Sequence, residues 1–217
     1  MLVVLRPVTG DPLEVVDSAG RLFAASLIVE GGRANALLAA QIAAPARAVL
    51  DMSLAQGIPK GPKMDYVVEK ATELGISRIV PFSAARTLGD GERAGKLERW
   101  RRLAKNAAQQ CGRCDVPEVV APLTFAALLT SFVAYDLVVL PWELATPIAL
   151  RERLPALLGD ARSVLVVIGP EGGFSEDEAR AAEGAGAELV SLGSRILRTE
   201  TAGLVATSVL RYVSGDL

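Results

Sequence analysis

The amino-acid sequence predicts an α/β protein with a mostly parallel sheet, preceded by a small β module. After about residue 45, apolar runs of strand length alternate with segments of helical periodicity, the pattern of a parallel sheet covered by helices. Within the predicted strand 163–168, the five residues after Ser163 are all apolar, as expected of a strand that is buried on both faces. Residues 1–44 instead form short strand-like runs separated by turns. We therefore predict two domains, 1–44 and 45–217.

The elements follow in chain order. The predicted strands are 13–16, 21–29, 48–54, 77–82, 116–120, 136–140, 163–168 and 188–192. The predicted helices are 62–74, 92–110, 124–132, 147–158, one that begins after Ser175, and 199–213. Pro62 suits a first helical turn and Gly75 ends that helix. Ser175 and Glu178 have the spacing of a capping box.

Composition excludes several classes of protein. The 217 residues are 51% hydrophobic and 22% charged, which is ordinary for a globular chain. No run reaches the roughly 18 apolar residues of a membrane span, and the first residues lack the features of a secretory signal. We expect a cytoplasmic protein with no membrane partner. The chain has no histidine, and its two cysteines, Cys111 and Cys114, are too few for a structural zinc site. We therefore expect reduced thiols and no metal.

Positive charge is concentrated in one part of the chain. The formal net charge is −2, yet residues 60–113 hold twelve basic side chains against six acidic ones. Such a segment is compatible with phosphate binding. The charge by itself favours a simpler explanation, a solvated helix face with ion pairs.

Two glycine-containing loops follow apolar strands near the C-terminus. The first is Gly169-Pro-Glu-Gly-Gly173, and the second lies in the run from Leu192 to Gly203. The carboxyl ends of parallel strands meet at one edge of a sheet, and glycine lets a ligand approach the backbone. Neither dinucleotide nor P-loop patterns occur, so we expect a ligand of nucleoside character. A tight strand-to-helix turn explains the first loop about equally well.

Four motifs in this order resemble the ribosomal small-subunit RNA uridine-N3 methyltransferase family of the SPOUT superfamily. They are residues 63–75, residues 110–113 with 116–118, residues 169–175 and residues 192–202. The resemblance implies a homodimer that uses S-adenosylmethionine to methylate N3 of a uridine in 16S ribosomal RNA or the small ribosomal subunit. A SPOUT methyltransferase for another RNA or for a ribose 2′-hydroxyl, and a non-catalytic RNA-binding or ribosome-assembly protein, remain alternatives.

The same resemblance implies a particular fold. It predicts a SPOUT-type parallel sheet with a deep C-terminal trefoil knot, an exception to the rule that chains are not knotted. The small β module then corresponds to a PUA-like RNA-binding barrel. Family members carry roughly twenty-five further residues before the position of Met1, so we expect this module to be incomplete.

Carried over by position, the resemblance also implies the site residues. The cofactor-binding residues are Leu140, Pro141, Glu143, Ile168, Gly169, Pro170, Glu171, Gly172, Gly173, Leu192, Gly193, Ile196, Leu197 and Thr201. The residues expected to contact RNA are Lys60, Lys63, Arg86, Arg113 and Arg195, with surface ion pairing as the alternative.

Three residues are candidates for catalysis. Uridine N3 must lose its proton before it attacks, and a nearby positive charge favours the anionic ring. We assign this role to Arg198. Glu171 and Glu200 are candidates for accepting the proton or balancing the sulfonium charge. A structural role at the start of a helix is equally open for Glu200.

Overall fold

The structure is a computed structural model that describes residues 8–45, 48–84, 93–145 and 150–217. The described residues fall into two units. The first comprises the residues up to 45 together with Gly112–Asp115, and the second comprises the described parts of Ala48–Cys111 and Val116–Leu217. No helix within these ranges has the length and apolar composition needed to cross a membrane.

The first unit contains a three-stranded antiparallel sheet. Its strands, in spatial order, are β1 (Pro12–Val16), β2 (Leu22–Glu30) and β3 (Arg33–Ile42). The turn between β1 and β2 is held by Asp17, whose carboxylate accepts hydrogen bonds from the backbone N–H groups of Ala19 and Arg21. These bonds and the Arg21 guanidinium hold the pKa of Asp17 below its usual value. The predicted short strands are confirmed.

The second unit is built on a parallel sheet of seven strands. They are β4 (Asp51–Gly57), β5 (Arg78–Ser83), β6 (Glu118–Val119), β7 (Leu123–Thr124), β8 (Leu137–Pro141), β9 (Ser163–Ile168) and β10 (Ala187–Val190). The spatial order is β10-β8-β9-β4-β5-β6, and β7 also pairs with β5, at residues farther along that strand than those that pair with β6. This arrangement confirms a mixed α/β protein with a mostly parallel sheet and a small antiparallel one.

Six helices accompany the strands of the second unit in its described part. They are α1 (Lys63–Glu73), α2 (Arg93–Gln110), α3 (Phe125–Thr130), α4 (Leu150–Leu158), α5 (Glu176–Gly184) and α6 (Thr199–Ser214). A short 3-10 turn, Phe132–Ala134, follows α3. The predicted capping box is confirmed, because Ser175 Oγ accepts from the Glu178 N–H and the Glu178 carboxylate accepts from the Ser175 N–H.

Several predicted bounds differ from those of the structure. The strand predicted at 48–54 runs instead from Asp51 to Gly57, because Gly57 continues the ladder opposite Phe82. The helix predicted at 124–132 ends at Thr130, and Thr124 caps it by accepting from the Ala127 N–H. The last strand ends two residues early, at Val190. The predicted starts at 92 and 147 lie outside the described residues.

The sheet buries one hydrophobic cluster on each face. Strand β9 shows the alternation, because Val164, Val166 and Ile168 join one cluster while Leu165 and Val167 join the other. The first cluster also contains Trp100 of α2 and Leu210 of α6. The prediction that residues 163–168 form a strand buried on both faces is therefore confirmed.

A buried ion pair fixes the end of α6. Arg211 Nη1 lies 2.9 Å from Asp216 Oδ2 and donates at 3.0 Å to the Leu50 carbonyl, while Nη2 donates to the Gly75 carbonyl. The Asp216 carboxylate accepts from the Val49 N–H at 3.0 Å. Partial burial works to raise the pKa of Asp216, but these hydrogen bonds outweigh it and hold the pKa below its usual value. The C-terminus is thereby attached to the start of β4 and to the end of α1.

We expect Asp216→Asn to reduce the free energy of unfolding by about 3 kcal/mol, because it leaves the buried Arg211 charge uncompensated. Since the pKa of Asp216 is lowered on folding, its contribution is complete above the unfolded value and disappears as the pH falls through the folded one. Urea unfolding of both proteins between pH 7 and pH 2 checks this.

The matched control is Glu118→Gln, which removes the exposed partner of Arg78 and should change stability by less than about 0.5 kcal/mol. A constant difference between wild type and Asp216→Asn down to the lowest pH would contradict the assigned role of Asp216.

Candidate functional site

A cleft of about 360 Å³ lies at the carboxyl ends of the central strands of the second unit. Three loops supply its walls, one after β8, one after β9 and one between β10 and α6. Its lining residues are Lys63, Pro141, Glu143, Ile168, Gly169, Pro170, Glu171, Gly172, Gly173, Phe174, Ile196, Leu197, Arg198, Thr199 and Ala202. The volume falls within the range of sites that bind small molecules.

Most of the predicted cofactor-binding residues meet in this cleft. They are Pro141, Glu143, Ile168, Gly169, Pro170, Glu171, Gly172, Gly173, Ile196 and Leu197. The remaining four lie outside its lining. Leu140 is fully buried in the core, Leu192 packs against the other core cluster, and Gly193 and Thr201 are exposed. Leu140 points into the core because side chains alternate between the faces of a strand.

Close backbone packing shapes the loop after β9. A Cβ atom added to Gly57 would lie 2.5 Å from the backbone nitrogen of Pro170, so only glycine lets the loop lie this close to β4. A Cβ added to Gly169 would lie 3.1 Å from the Phe174 ring, and one added to Gly173, whose φ is +64°, would lie 2.9 Å from a Glu143 carboxylate oxygen. The glycines of this loop therefore keep its backbone against its neighbours.

A chain of hydrogen bonds joins three elements beneath the cleft. Gln56, at the end of β4, is fully buried and donates from Nε2 to Thr199 Oγ1 at 2.7 Å. The Thr199 hydroxyl donates in turn to the carbonyl of Gly169. The start of α6 is thus tied to the ends of β4 and β9.

A lysine and two glutamates form the charged wall of the cleft. Lys63 Nζ, at the start of α1, lies 3.2 Å from Glu171 Oε1 and 3.7 Å from Glu200 Oε2. The Lys60 backbone N–H donates to Glu171 at 2.9 Å. Partial burial works to raise the pKa of Glu171, but its own amide, the Lys60 amide and the Lys63 ammonium lower it below its usual value. Glu171 is therefore held as a carboxylate and is a weak proton acceptor.

The predicted basic residues occupy different positions. Arg198 is exposed, lines the cleft and stands at the N-cap of α6, where its side chain makes no capping hydrogen bond. Lys60 and Arg195 are exposed in the second unit. Arg113 belongs to the first unit and pairs with Asp115 at 2.6 Å. Arg86 lies outside the described residues.

Sequence reasoning missed four residues of this site. Phe174, Thr199 and Ala202 line the cleft, and Gln56 lies beneath it. Gln56 has a signal in the sequence, since it is a single amide within an otherwise apolar or small-residue strand end, Ser53–Gly57. The described residues contain no cluster of three or more side chains suited to holding a metal ion.

A parallel sheet with a glycine-rich cleft at its strand ends defines a small-ligand-binding α/β protein, and comparison with known families identifies the class. The model of the RNA methyltransferase domain matches residues 46–211, most of the chain. The chain belongs to the ribosomal RNA small subunit methyltransferase E family of such proteins.

Curated relatives carry the name ribosomal RNA small subunit methyltransferase E. The one from Mycobacterium bovis is 34% identical over 93% of this chain and 78% of its own length. The one from Bacillus subtilis is 38% identical over 73% of this chain. The chain spans 64% of the Bacillus subtilis protein and 66% of the Synechocystis relative, slightly less than two thirds of their lengths.

Two solved structures are similar over nearly the whole chain. A ribosomal RNA small subunit methyltransferase E from Neisseria gonorrhoeae, bound to S-adenosylmethionine, is 29% identical with a TM-score of 0.86, covering 98% of this chain and 87% of that one. A putative methyltransferase from Legionella pneumophila, in complex with the same cofactor, is 32% identical with a TM-score of 0.85, covering 97% and 86%.

We expect Lys63→Gln to raise the pKa of Glu171, because the ammonium that stabilises its carboxylate is removed. A carbon-13 NMR titration of the Glu171 carboxyl group measures this directly. Lys60→Gln is the matched control, since Lys60 acts on Glu171 through its backbone amide. In this variant the pKa of Glu171 should stay close to its wild-type value. An unchanged pKa in Lys63→Gln would contradict the assigned ion pair.

Proposed function

We propose that this chain transfers a methyl group from S-adenosylmethionine to N3 of a specific uridine in 16S ribosomal RNA. The observation that carries the proposal is the cleft at the carboxyl ends of β8 and β9, which collects ten of the fourteen residues expected to bind the cofactor. The family membership of the chain supports the same reaction, as do the names of its relatives.

The residues of the cleft fit S-adenosylmethionine chemically. The charged residues of its lining are Lys63, Arg198, Glu143 and Glu171, and Glu200 lies just outside the lining, 3.7 Å from Lys63. The cleft and this neighbour together hold three carboxylates and two cations. One buried oxygen of Glu200 accepts no hydrogen bond within the described part of the chain. A ligand with a sulfonium and an ammonium against one carboxylate has the complementary excess of positive charge.

The apolar and glycine residues would hold the rest of the cofactor. Pro141, Ile168, Leu197 and Ala202 offer apolar surface for a nucleoside, as is usual in small-molecule sites. Gly169, Gly172 and Gly173 line the same cleft without side chains, so the loop backbone forms part of the surface offered to the cofactor. When bound, S-adenosylmethionine supplies an electrophilic methyl group for in-line transfer, and the cleft contributes mainly alignment.

Arg198 is the residue that we assign to the acceptor base. Arg198 is exposed and lines the cleft, so its guanidinium is available to a uridine ring that enters from solvent. A guanidinium there would stabilise the negative charge that develops as N3 loses its proton. The lowered pKa of Glu171 suits it to balancing positive charge and not to general-base catalysis. Glu200 is then the carboxylate available to accept the proton.

The finer features of the fold belong to the same proposal. We assign to this chain the C-terminal trefoil knot, in which α6 is threaded so that the three loops close on the cofactor. Its support is the position of α6, whose first residue bonds to the ends of β4 and β9 although the preceding strand, β10, lies at the edge of the sheet. The antiparallel sheet is assigned as a PUA-like RNA-binding module, and the active form as a homodimer in the cytoplasm.

Four of the predicted RNA contacts are kept as proposals on the described residues. Lys60 and Arg195 are exposed and near the loops that line the cleft, which suits phosphate binding. Arg113 is expected to act from the β module. Lys63 is ion-paired within the cleft wall, so its first role is electrostatic, with phosphate contact as a second.

Incubating the protein with unmodified small ribosomal subunits and methyl-labelled S-adenosylmethionine tests the reaction. We expect one labelled nucleoside, 3-methyluridine, in 16S ribosomal RNA. Label on a ribose, or only on another RNA, would contradict the assigned target. The matched control is Gly172→Arg, which places a bulky cation in the cleft and should abolish labelling.

We expect Arg198→Ala to lower kcat by about a hundredfold or more while leaving cofactor affinity within about tenfold, because the guanidinium acts mainly on charge that develops in the transition state. Single-turnover kinetics and calorimetric titration measure the two effects. Arg180→Ala, at an exposed position on α5, serves as the control for a general loss of positive charge. Equal losses of turnover and cofactor affinity would make Arg198 a binding residue instead.

A further inference from the structure

We propose that Gln56 is a positioning residue for the methyl-donor cleft, acting through Thr199 on the carbonyl of Gly169. The inference rests on the proposed function, since it concerns how the cofactor site is built. Gln56 and Thr199 lie 143 positions apart in the chain, yet their side chains meet beneath the cleft at 2.7 Å. Neither side chain has a place in the set of cofactor-binding residues implied by the motifs.

The chemistry of the donor and acceptor groups determines the direction of each hydrogen bond between Gln56, Thr199 and Gly169. The carbonyl of Gly57 can only accept, and it lies 3.0 Å from Gln56 Nε2, so the amide is oriented with its nitrogen towards it. The same nitrogen faces Thr199 Oγ1, which must therefore accept. The hydroxyl hydrogen of Thr199 is then left for the Gly169 carbonyl. The Gly169 carbonyl also can only accept, so the hydroxyl donates to it, and Gln56 supplies the second bond that holds this hydroxyl in place.

The other side of the Gln56 amide is enclosed. Its Oε1 is buried, has no hydrogen-bond partner among the described residues, and lies 3.4 Å from the Cβ position of Gly203. A buried acceptor without a partner is costly. An apolar residue would avoid that cost, so the gain from the amide must come from its two donated bonds.

These bonds bear on three parts of the cleft wall. Thr199 is flanked in sequence by Arg198 and Glu200, so attaching it sets the position of both charged residues. Gly169 opens the loop that contains Glu171, and the neighbouring Gly57 contacts that loop at Pro170. The adjacent residues Gln56 and Gly57 of β4 thereby both support the loop after β9, the first through Thr199 and the second through direct backbone contact.

The test compares Thr199→Val with Thr199→Ser and with Thr207→Val. Thr207 is the matched control because it is buried on the same helix and its hydroxyl has no hydrogen-bond partner in the described part of the protein. Calorimetric titration with S-adenosylmethionine gives Kd, and thermal unfolding without the cofactor gives Tm. We expect Thr199→Val to raise Kd by about tenfold and Thr199→Ser to stay within about threefold of wild type. Thr207→Val should leave Kd unchanged.

Gln56 itself is tested by two substitutions of similar size. Gln56→Met removes both donated bonds but lets Thr199 go on donating to Gly169, whereas Gln56→Glu presents an acceptor that draws the Thr199 hydroxyl away from Gly169. We therefore expect the larger rise in Kd for Gln56→Glu. In the double variant Gln56→Met/Thr199→Val, the two effects on the binding free energy should be less than additive, because both residues act through the same series of hydrogen bonds.

The possible results separate the inference from the proposed function. A wild-type protein that does not bind S-adenosylmethionine would overturn the proposed function. If the wild type binds and Thr199→Val lowers Tm with no change in Kd, the hydrogen bonds only stabilise the fold and the inference is wrong. Should Thr199→Val not fold, the order of Kd for Gln56→Met and Gln56→Glu decides, and equal values would overturn it.

Discussion

Thr199 joins the last helix to the sheet at the place where the cleft forms, and the rest of the site depends on that junction. Its hydroxyl accepts from Gln56 of β4 and donates to Gly169 after β9, so three segments distant in sequence share one buried oxygen atom. The other end of α6 is fixed by the Arg211–Asp216 pair, which also contacts the backbone at Leu50 and Gly75. A helix attached at both ends presents its first-turn residues in a fixed position.

The position of the first turn of α6 determines which charged side chains meet beside the cleft. Glu200 follows Thr199 directly and comes within 3.7 Å of Lys63, which also pairs with Glu171. Lys63 therefore offsets one of these two carboxylates, and one negative charge of the group is left over. The hydrogen bonds and the Lys63 ammonium that lower the pKa of Glu171 favour its carboxylate form. The proposed methyl donor, which carries a net positive charge, complements that negative charge.

Local sequence signals predicted local structure well, and long-range contacts account for what they missed. The strand 163–168 and the capping box of Ser175 and Glu178 involve neighbouring residues, so their patterns are complete in the sequence. The extension of β4 to Gly57 depends on the pairing of Gly57 with Phe82 in the neighbouring strand. It also depends on close packing against Pro170, which lies more than a hundred positions later in the chain. Nothing local indicates those partners. For the same reason the joining of Gly112–Asp115 to the first unit was not predicted.

The sequence likewise predicts the location of the site but not the long-range contacts within it. Two glycine loops after parallel strands indicate a ligand at one edge of the sheet, but only the resemblance to a methyltransferase family named that ligand. The pairing of Lys63 with Glu171 joins a helix start to a loop 108 positions later, a contact that no local pattern indicates, and the sequence predicts an RNA contact for Lys63 instead.

The most direct test of the central claim, that the cleft at the ends of β8 and β9 binds the methyl donor, is a crystal structure of this protein grown with S-adenosylmethionine. We expect electron density for the cofactor between Pro141, Gly169 and Leu197, with its sulfonium facing the carboxylates. Cofactor density at any other place on the molecule, or a cleft closed by its own side chains in a crystal that holds the cofactor elsewhere, would contradict the claim.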